Sequence, residues 1–333
     1  MNDFPLLSRR TCLGGSLAGT AALMLPFPSA AQGKYPTKLV RIVVGFTPGG
    51  SGDFIARVLT VLLTPEFGAP IIVDNKPGAG SNIATQFVAK AERDGHTLLL
   101  GGNFSHAVNP VLYKNVNFDP VKDFTPITKL ADLPSIIAVN PSFGVRTLKE
   151  LIAKVKAEPG RWNYSTPGNG TPSHLAGAVL SRLTGAKLTH IPYRGGAPAV
   201  LAAIAGEVQF TIGTPPAVLP HVSSGRLLPL SMTTSSRSPV IPGVPGAEEA
   251  GVPGFDVQGW WGLWAPAGIP GDVRDQLHAT VVKVLNTSRG REQFSREGLT
   301  VATSTSPSEF EAYIAREIPI WARIVRDSGA VAE

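Results

Sequence analysis

Cysteine is nearly absent from this 333-residue chain: Cys12 is the only one, so no intramolecular disulfide can form. Charge is scarce too, at 16% of residues, well under the roughly 25% usual in globular proteins. With 43% hydrophobic residues, that balance excludes disorder for the bulk of the chain, because disorder needs low hydrophobicity and high charge. The six histidines (96, 106, 174, 190, 221 and 278) show no H-x-x-x-H spacing, and no cysteine adjoins them, so no metal site is expected. There is no G-x-S-x-G nucleophile elbow and no Gly-Lys-Ser/Thr phosphate loop. The net charge of +6 is not gathered into an aromatic-basic motif: Lys149, Lys154, Lys156 and Arg161 are interrupted by Glu150 and Glu158, as on a solvated helix face. Nucleic acid is therefore not an expected partner. What the chain does have is 36 glycines and 30 prolines without a repeat period, which fits a loop-rich globular protein.

The first 33 residues differ from the rest. Arg9 and Arg10 precede an apolar run of 13 residues, Leu13 to Leu25, and a small-residue exit at Ser29-Ala30-Ala31. Positive, apolar and small segments in that order predict a secretory signal peptide over residues 1–31. The run is too short to span a bilayer, which takes about 20 residues. Ser8-Arg9-Arg10-Thr11-Cys12-Leu13 also fits a twin-arginine export pattern, with Cys12 where a large apolar residue is usual. Cleavage after Ala31 removes Arg9, Arg10 and Asp3, lowering the net charge by one, and takes the only cysteine with it. A thiol-free exported protein suits an oxidising compartment, and the expected location is the periplasm.

Beyond residue 34, short apolar runs alternate with helical patterns. Residues 39–44, 71–73, 97–100, 136–139, 208–212, 227–232 and 257–264 read as strands. Ile55, Val58, Leu59, Leu62 and Leu63 recur at helical spacing, and further helices are expected at 82–91, 148–155, 270–286 and 291–297. Thr171-Pro172 and Ser306-Pro307-Ser308-Glu309 are helix starts, the second a capping box with Pro319 as a kink further along. The alternation predicts an α/β protein with a mostly parallel sheet. Trp260 and Trp264 should face one side of their strand and Trp261 the other.

Two loops stand out. Thr47-Pro48-Gly49-Gly50-Ser51-Gly52-Asp53 links the first strand to its helix. Its glycines allow a tight turn, and its N–H groups with the helix N-terminus suit a carboxylate or phosphate. The plain alternative is an ordinary strand-to-helix turn. Ser165-Thr166-Pro167-Gly168-Asn169-Gly170-Thr171-Pro172-Ser173-His174 repeats the pattern. Two such helix starts in different halves of the chain suggest a ligand clamped between two lobes. Asp53, with Arg57 four residues on, is expected to support the first loop, and His174 reads either as a ligand donor or as a structural residue.

The motifs IVVGFTPGGSGDFIAR, IIVDNKPGAGSNIA, DGHTLLLGG, VNPVLYKNVNFDPVKDFTPIT, PGNGTPSHLAG, HIPYRGGAPAV, LPHVSSGRLLPL, VPGFDVQGWWGLWAPAGIP and IPIWARIV run in order from Lys34 to Val325. In these the chain resembles the Bug-type extracytoplasmic solute receptors of tripartite tricarboxylate transporters. The resemblance implies a two-lobed, type 2-like periplasmic binding protein with hinge strands and a cleft. Lobe one would hold 34–133 plus 253–333, and lobe two 134–252. It implies a monomeric receptor that passes a small carboxylate to membrane transporter subunits, with no cofactor and no catalysis. The implied ligand residues are Thr47, Pro48, Gly49, Gly50, Ser51, Thr166, Gly168, Asn169, Gly170, Thr171 and His174, with Ser105 and His106 on a loop facing the cleft. Where the family often carries Asp-Asn after the strand at 208–212, this chain has Gly213-Thr214-Pro215, which places Thr214 at the variable end of the ligand and favours an acidic or less polar carboxylate. The alternative from another class is a secreted α/β hydrolase or transferase using a pair such as Ser105 and His174.

Overall fold

A computed structural model describes residues 35–332; the expected signal peptide, its arginine pair and Cys12 lie outside them. The first segment reads as the apolar pattern dictates. β1 (Val40–Val44) is a Val/Ile strand, and Gly50 caps α1 (Ser51–Phe67), whose Ile55, Val58, Leu59, Leu62 and Leu63 are buried. β2 (Ile71–Asn75), α2 (Asn82–Ala89) and β3 (Thr97–Gly102) follow, then a five-residue π turn at Phe104–Val108 and the short α3 (Asn109–Leu112). β4 (Phe124–Leu133) leaves the first sheet, and β5 (Ile136–Val139) starts the second. The second part then runs α4 (Leu148–Ala157), β6 (Asn163–Thr166), α5 (Pro172–Thr184), β7 (Thr189–Pro192), α6 (Gly196–Ala205), β8 (Phe210–Gly213), α7 (Pro215–Ser223) and β9 (Leu228–Met232). The chain returns through β10 (Gly259–Pro266), α8 (Gly271–Leu285), α9 (Ser288–Arg296), β11 (Thr300–Val301) and α10 (Pro307–Ser328).

Two sheets result, ordered β11-β4-β10-β3-β1-β2 and β7-β6-β8-β5-β9. The mostly parallel expectation is corrected here. Parallel pairing holds for β1 with β2 and β3, and for β6 with β7 and β8; the other pairs are antiparallel. The cause is connectivity. Right-handed crossovers through helices give parallel neighbours, whereas β10 and β11 in the first sheet and β5 in the second run against the strands beside them.

The chain crosses between the sheets twice, after β4 and before β10, and Thr233 stitches the two crossings together. Its N–H donates to the Ser135 carbonyl (2.9 Å), its hydroxyl accepts from the Ser135 N–H (3.1 Å) and donates to the Val257 carbonyl (2.8 Å), and the Val257 N–H donates back to its carbonyl (2.8 Å). These are the hinge strands. Val252, Phe255 and Val257 pack in the core of the second lobe, so the return crossing lies some residues later than the expected break at 252.

The end of the chain belongs to both lobes. Phe310 and Ile314 of α10 pack with Trp260 and Trp264 on the first sheet. Trp321 and Val325 of the same helix pack with Leu175, Ala176 and Val179 of α5 in the second lobe. Pro319, exposed on the helix, falls between the two halves. α10 is thus a strap, and the expectation that 253–333 sits wholly in lobe one does not hold for its last two turns. Glu317 fastens the strap where it changes lobes. Its Oε2 accepts from the indole N–H of Trp260 (2.9 Å) and of Trp321 (2.8 Å).

Candidate functional site between the lobes

Four helix starts meet at one small cavity. Its walls are Gly50, Ser51 and Gly52 at the start of α1, Thr171, Pro172 and Ser173 at α5, Gly196 at α6 and Thr214 at α7, closed by Phe46, Phe104, Leu133 and Pro167. Its free volume is about 20 Å³, room for roughly one water. No charged side chain lines it. The first N–H groups of a helix have no intrahelical acceptor and carry the positive end of the macrodipole, so this arrangement favours an anion without any lysine or arginine.

The local chemistry of each start differs. At α1, the Trp261 indole N–H donates to Ser51 Oγ (3.2 Å), which leaves the Ser51 hydroxyl proton free to donate. Trp261 also lies under Gly52, where a Cβ would come within 2.7 Å of its ring, and packs edge-on against Phe46 and Phe104. At α5, the Thr171 side chain accepts from the His174 N–H (3.3 Å) and donates to the Gly168 carbonyl (2.8 Å), the expected N-cap. At α7, Pro215 and Pro216 supply no N–H, and Thr214 makes no capping bond. Its buried Oγ1 has no partner among the described residues, which makes it the polar contribution of that helix.

The remaining expected residues act around the cavity. The Thr47 N–H donates to the Arg194 carbonyl (3.1 Å), a clasp from one lobe to the other. Pro48 and Gly49 are exposed. The Gly49 N–H, in a left-handed turn (φ 85°), is taken by Asp53 Oδ2 (3.2 Å), which Arg57 also holds (2.9 Å). Burial works to raise the Asp53 pKa, but Arg57, the Gly49 N–H and Asn75 together hold the carboxyl below the usual range. Asp53 is a support for the loop, as its place in the sequence suggests. Gly168 and Asn169 line a neighbouring chamber.

Thr166, Gly170 and His174 form the scaffold behind the second loop. The Gly170 N–H donates to His174 Nδ1 (3.2 Å), Thr166 Oγ1 lies 2.6 Å from His190 Nε2, and the two imidazoles stack at 4.2 Å. Burial pulls the His174 pKa from 6.5 down to about 4, and burial together with His174 pulls His190 down to about 3. Both rings are neutral in the folded protein. Their stabilisation is complete above pH 6.5 and is lost as pH falls towards 4, because the unfolded chain then takes up protons that the folded one refuses. The expected slope is about 1.4 kcal/mol per pH unit for each histidine. Thermal unfolding at pH 7 and pH 5 measures it, and His174→Asn should flatten the decline.

Ser105 and His106 do not face the cleft, which corrects that expectation. Ser105 Oγ accepts from the Gly102 N–H (3.1 Å) and lies 2.9 Å from His106 Nδ1. The His106 ring stacks on Trp264 at 4.0 Å, and burial lowers its pKa to about 3. The π turn is the reason: its wider i→i+5 spacing turns 105 and 106 into the core and brings Phe104 to the cavity. Ser105 is hydrogen-bonded to His106 rather than to His174, and both are fully buried, so the pair proposed for a hydrolase does not assemble. Among the described residues, no cluster of three or more His, Cys, Asp or Glu could hold a metal, and no helix is long and apolar enough to cross a membrane.

Sequence reasoning missed Gly196 and the apolar walls Phe46, Phe104, Leu133 and Pro167. The Gly195-Gly196-Ala197-Pro198 run, two glycines at a helix start with a proline in its first turn, carried a signal of the same kind as the two loops that were singled out.

Residues 55–330 match the model of the tripartite tricarboxylate transporter family receptor. The chain is similar to Protein BugT of Bordetella pertussis, 34% identical over 325 residues that cover 97% of this chain and 98% of that protein. It is similar in structure to Rpa4515 of R. palustris solved with adipate, at TM-score 0.87 and 32% identity, covering 89% of this chain and 99% of that one. It is also similar to MatC of Rhodopseudomonas palustris with bound malate, at TM-score 0.82 and 32% identity, covering 87% and 100%. A two-lobed fold with hinge strands, a cleft lined by helix starts and a family match across most of its length together make this chain a member of the tripartite tricarboxylate transporter receptor family, the Bug-type periplasmic solute-binding proteins.

Proposed function

We propose that this protein is exported, loses residues 1–31, and as a monomer captures a small organic carboxylate in the periplasm for delivery to membrane subunits of a tripartite-type transporter. The observation that carries this reading is the convergence of four helix starts on a cavity without charged side chains. The donors suit a carboxylate: its two oxygens would accept from the N–H groups at α1, α5 and α6, from Ser51 and from Thr214, while Phe46, Phe104 and Leu133 exclude water. That two structural neighbours were solved with adipate and malate, both carboxylates, supports the class. No catalysis and no cofactor are part of this reading.

Binding is coupled to closure. The closed arrangement is held by the Thr47–Arg194 clasp, and a ligand that contacts both lobes favours it over an open form. Gly195 is where this can be tested, since a Cβ there would lie 2.1 Å from Thr47 Oγ1 and 3.1 Å from the Thr47 nitrogen. Gly195→Ala is expected to wedge the clasp and weaken binding about tenfold, mainly through faster dissociation. Stopped-flow release of a bound carboxylate checks it. The proposal as a whole is tested by a thermal-shift screen of the mature protein against mono-, di- and tricarboxylates, amino acids and aromatic acids, followed by calorimetry. Stabilisation by no carboxylate would overturn it. Uptake of the identified acid by cells lacking this chain tests the delivery step.

A further inference from the structure

A second chamber lies next to the helix-lined cavity, with Phe46 and Pro167 forming walls of both. Its free volume is about 260 Å³, against about 20 Å³ for the inner one. Both lobes contribute: Ser81 and Tyr113 from the first, Asn169 and Arg194 from the second. Arg194 is the one charged residue lining either chamber. Its side chain is exposed and enters none of the ion pairs among the described residues, while its carbonyl is held by Thr47.

The chamber's floor is built at a cost. Ala79, Gly80 and Ser81 follow one another at φ 46°, 59° and 82°, a left-handed run that costs about 1–2 kcal/mol for each non-glycine residue. Asn109 holds the run in place by donating to the Gly80 carbonyl (2.8 Å) and to Asn82 Oδ1 (2.7 Å). Gly80 must be glycine for a second reason: a Cβ would lie 2.5 Å from the Asn169 carbonyl across the cleft. Ser81 is fully buried, and its Oγ has no partner among the described residues. Strained backbone and unsatisfied buried groups cluster at ligand sites, and here both lie beside an unpaired guanidinium.

We propose that this outer chamber receives the second carboxylate of a linear dicarboxylate whose first carboxylate sits at the four helix starts, and that Arg194 distinguishes such ligands from monocarboxylates. The inference rests on the carboxylate reading above and adds the class of acid. The inner cavity is too small to take more than a head group, so the chain of the ligand must pass between Phe46 and Pro167. A carboxylate at the far end then meets the one cation available, in a charge-assisted and bidentate geometry that suits guanidinium.

The test compares acids of equal chain length, glutarate with valerate and adipate with hexanoate, by calorimetry on the mature protein. Wild type is expected to bind the diacid at least about tenfold more tightly than its monoacid partner. Arg194→Gln should bring the ratio within about twofold, and Arg194→Lys, which keeps the charge, should restore part of it. A diacid preference that survives Arg194→Gln overturns the assignment of Arg194, and monoacids bound as tightly as diacids by wild type overturn the outer chamber as an anion subsite. Both results leave carboxylate binding intact, whereas a wild type that binds none of the four acids, nor any other carboxylate, removes the underlying reading itself. Circular dichroism of the Gln variant, whose backbone clasp to Thr47 is unchanged, separates loss of preference from loss of fold.

Discussion

Gly50→Asp is expected to abolish carboxylate binding, by about a hundredfold or more, while leaving the protein as stable as wild type or more so. Gly50 is the N-cap of α1 with extended backbone (φ −106°, ψ 179°), a conformation aspartate adopts without strain. Its Cβ would point across the cleft, 3.4 Å from the Gly196 nitrogen at the start of α6. An aspartate there has two destinations. It can accept from the orphan N–H groups of its own helix, as a good N-cap does, or from those of α6. Either way a fixed carboxylate occupies the donors that the ligand's carboxylate needs, and its charge repels a second anion in a site with little water. The paired readout is what makes the variant informative, because lost binding with an unchanged or raised melting temperature means the anion site has been filled rather than destroyed. A Gly50→Asp protein that binds an identified acid as tightly as wild type would falsify the assignment.

The largest expected effect on stability is at Glu317. Replacing it with alanine strands two buried indole N–H groups, those of Trp260 and Trp321, and each buried donor left without an acceptor costs about 1–3 kcal/mol. Glu317→Ala should therefore lower unfolding stability by about 2–4 kcal/mol. Glu317→Gln keeps an acceptor oxygen and should cost less than half as much. Denaturant melts of the two variants provide the comparison, and equal losses would mean that the carboxylate matters for its charge rather than as a shared acceptor.

Much of this site was legible because helix starts announce themselves locally. Thr171-Pro172 and Ser306-Pro307-Ser308-Glu309 cap their helices as the residue types require, and Gly50, Ser51, Thr171 and Thr214, four of the residues singled out for a ligand, line the inner cavity. The alternation in 260–264 also held, with Trp260 and Trp264 on one face and Trp261 on the other. What escaped was decided by partners distant in sequence. β4 carries Pro126, Lys129 and Asp132, a pattern that does not read as a strand, yet it pairs along its length with β10. The inward turn of Ser105 and His106 depends on a π turn, which side-chain periodicity does not reveal. Gly196 reaches the cavity only because the Tyr193-Arg194-Gly195 loop folds over Thr47, a contact between lobes that no window of neighbouring residues contains.

The strap helix α10 also bears on how the molecule assembles. Phe310 and Ile314 complete one core and Trp321 and Val325 another, yet all four lie in a helix that follows every strand of both sheets in chain order. Neither core is sealed until that helix docks, so a nascent chain stays open in both halves until α10 is available. Folding in this protein is expected to finish with the docking of α10, with both lobes locking in the same event.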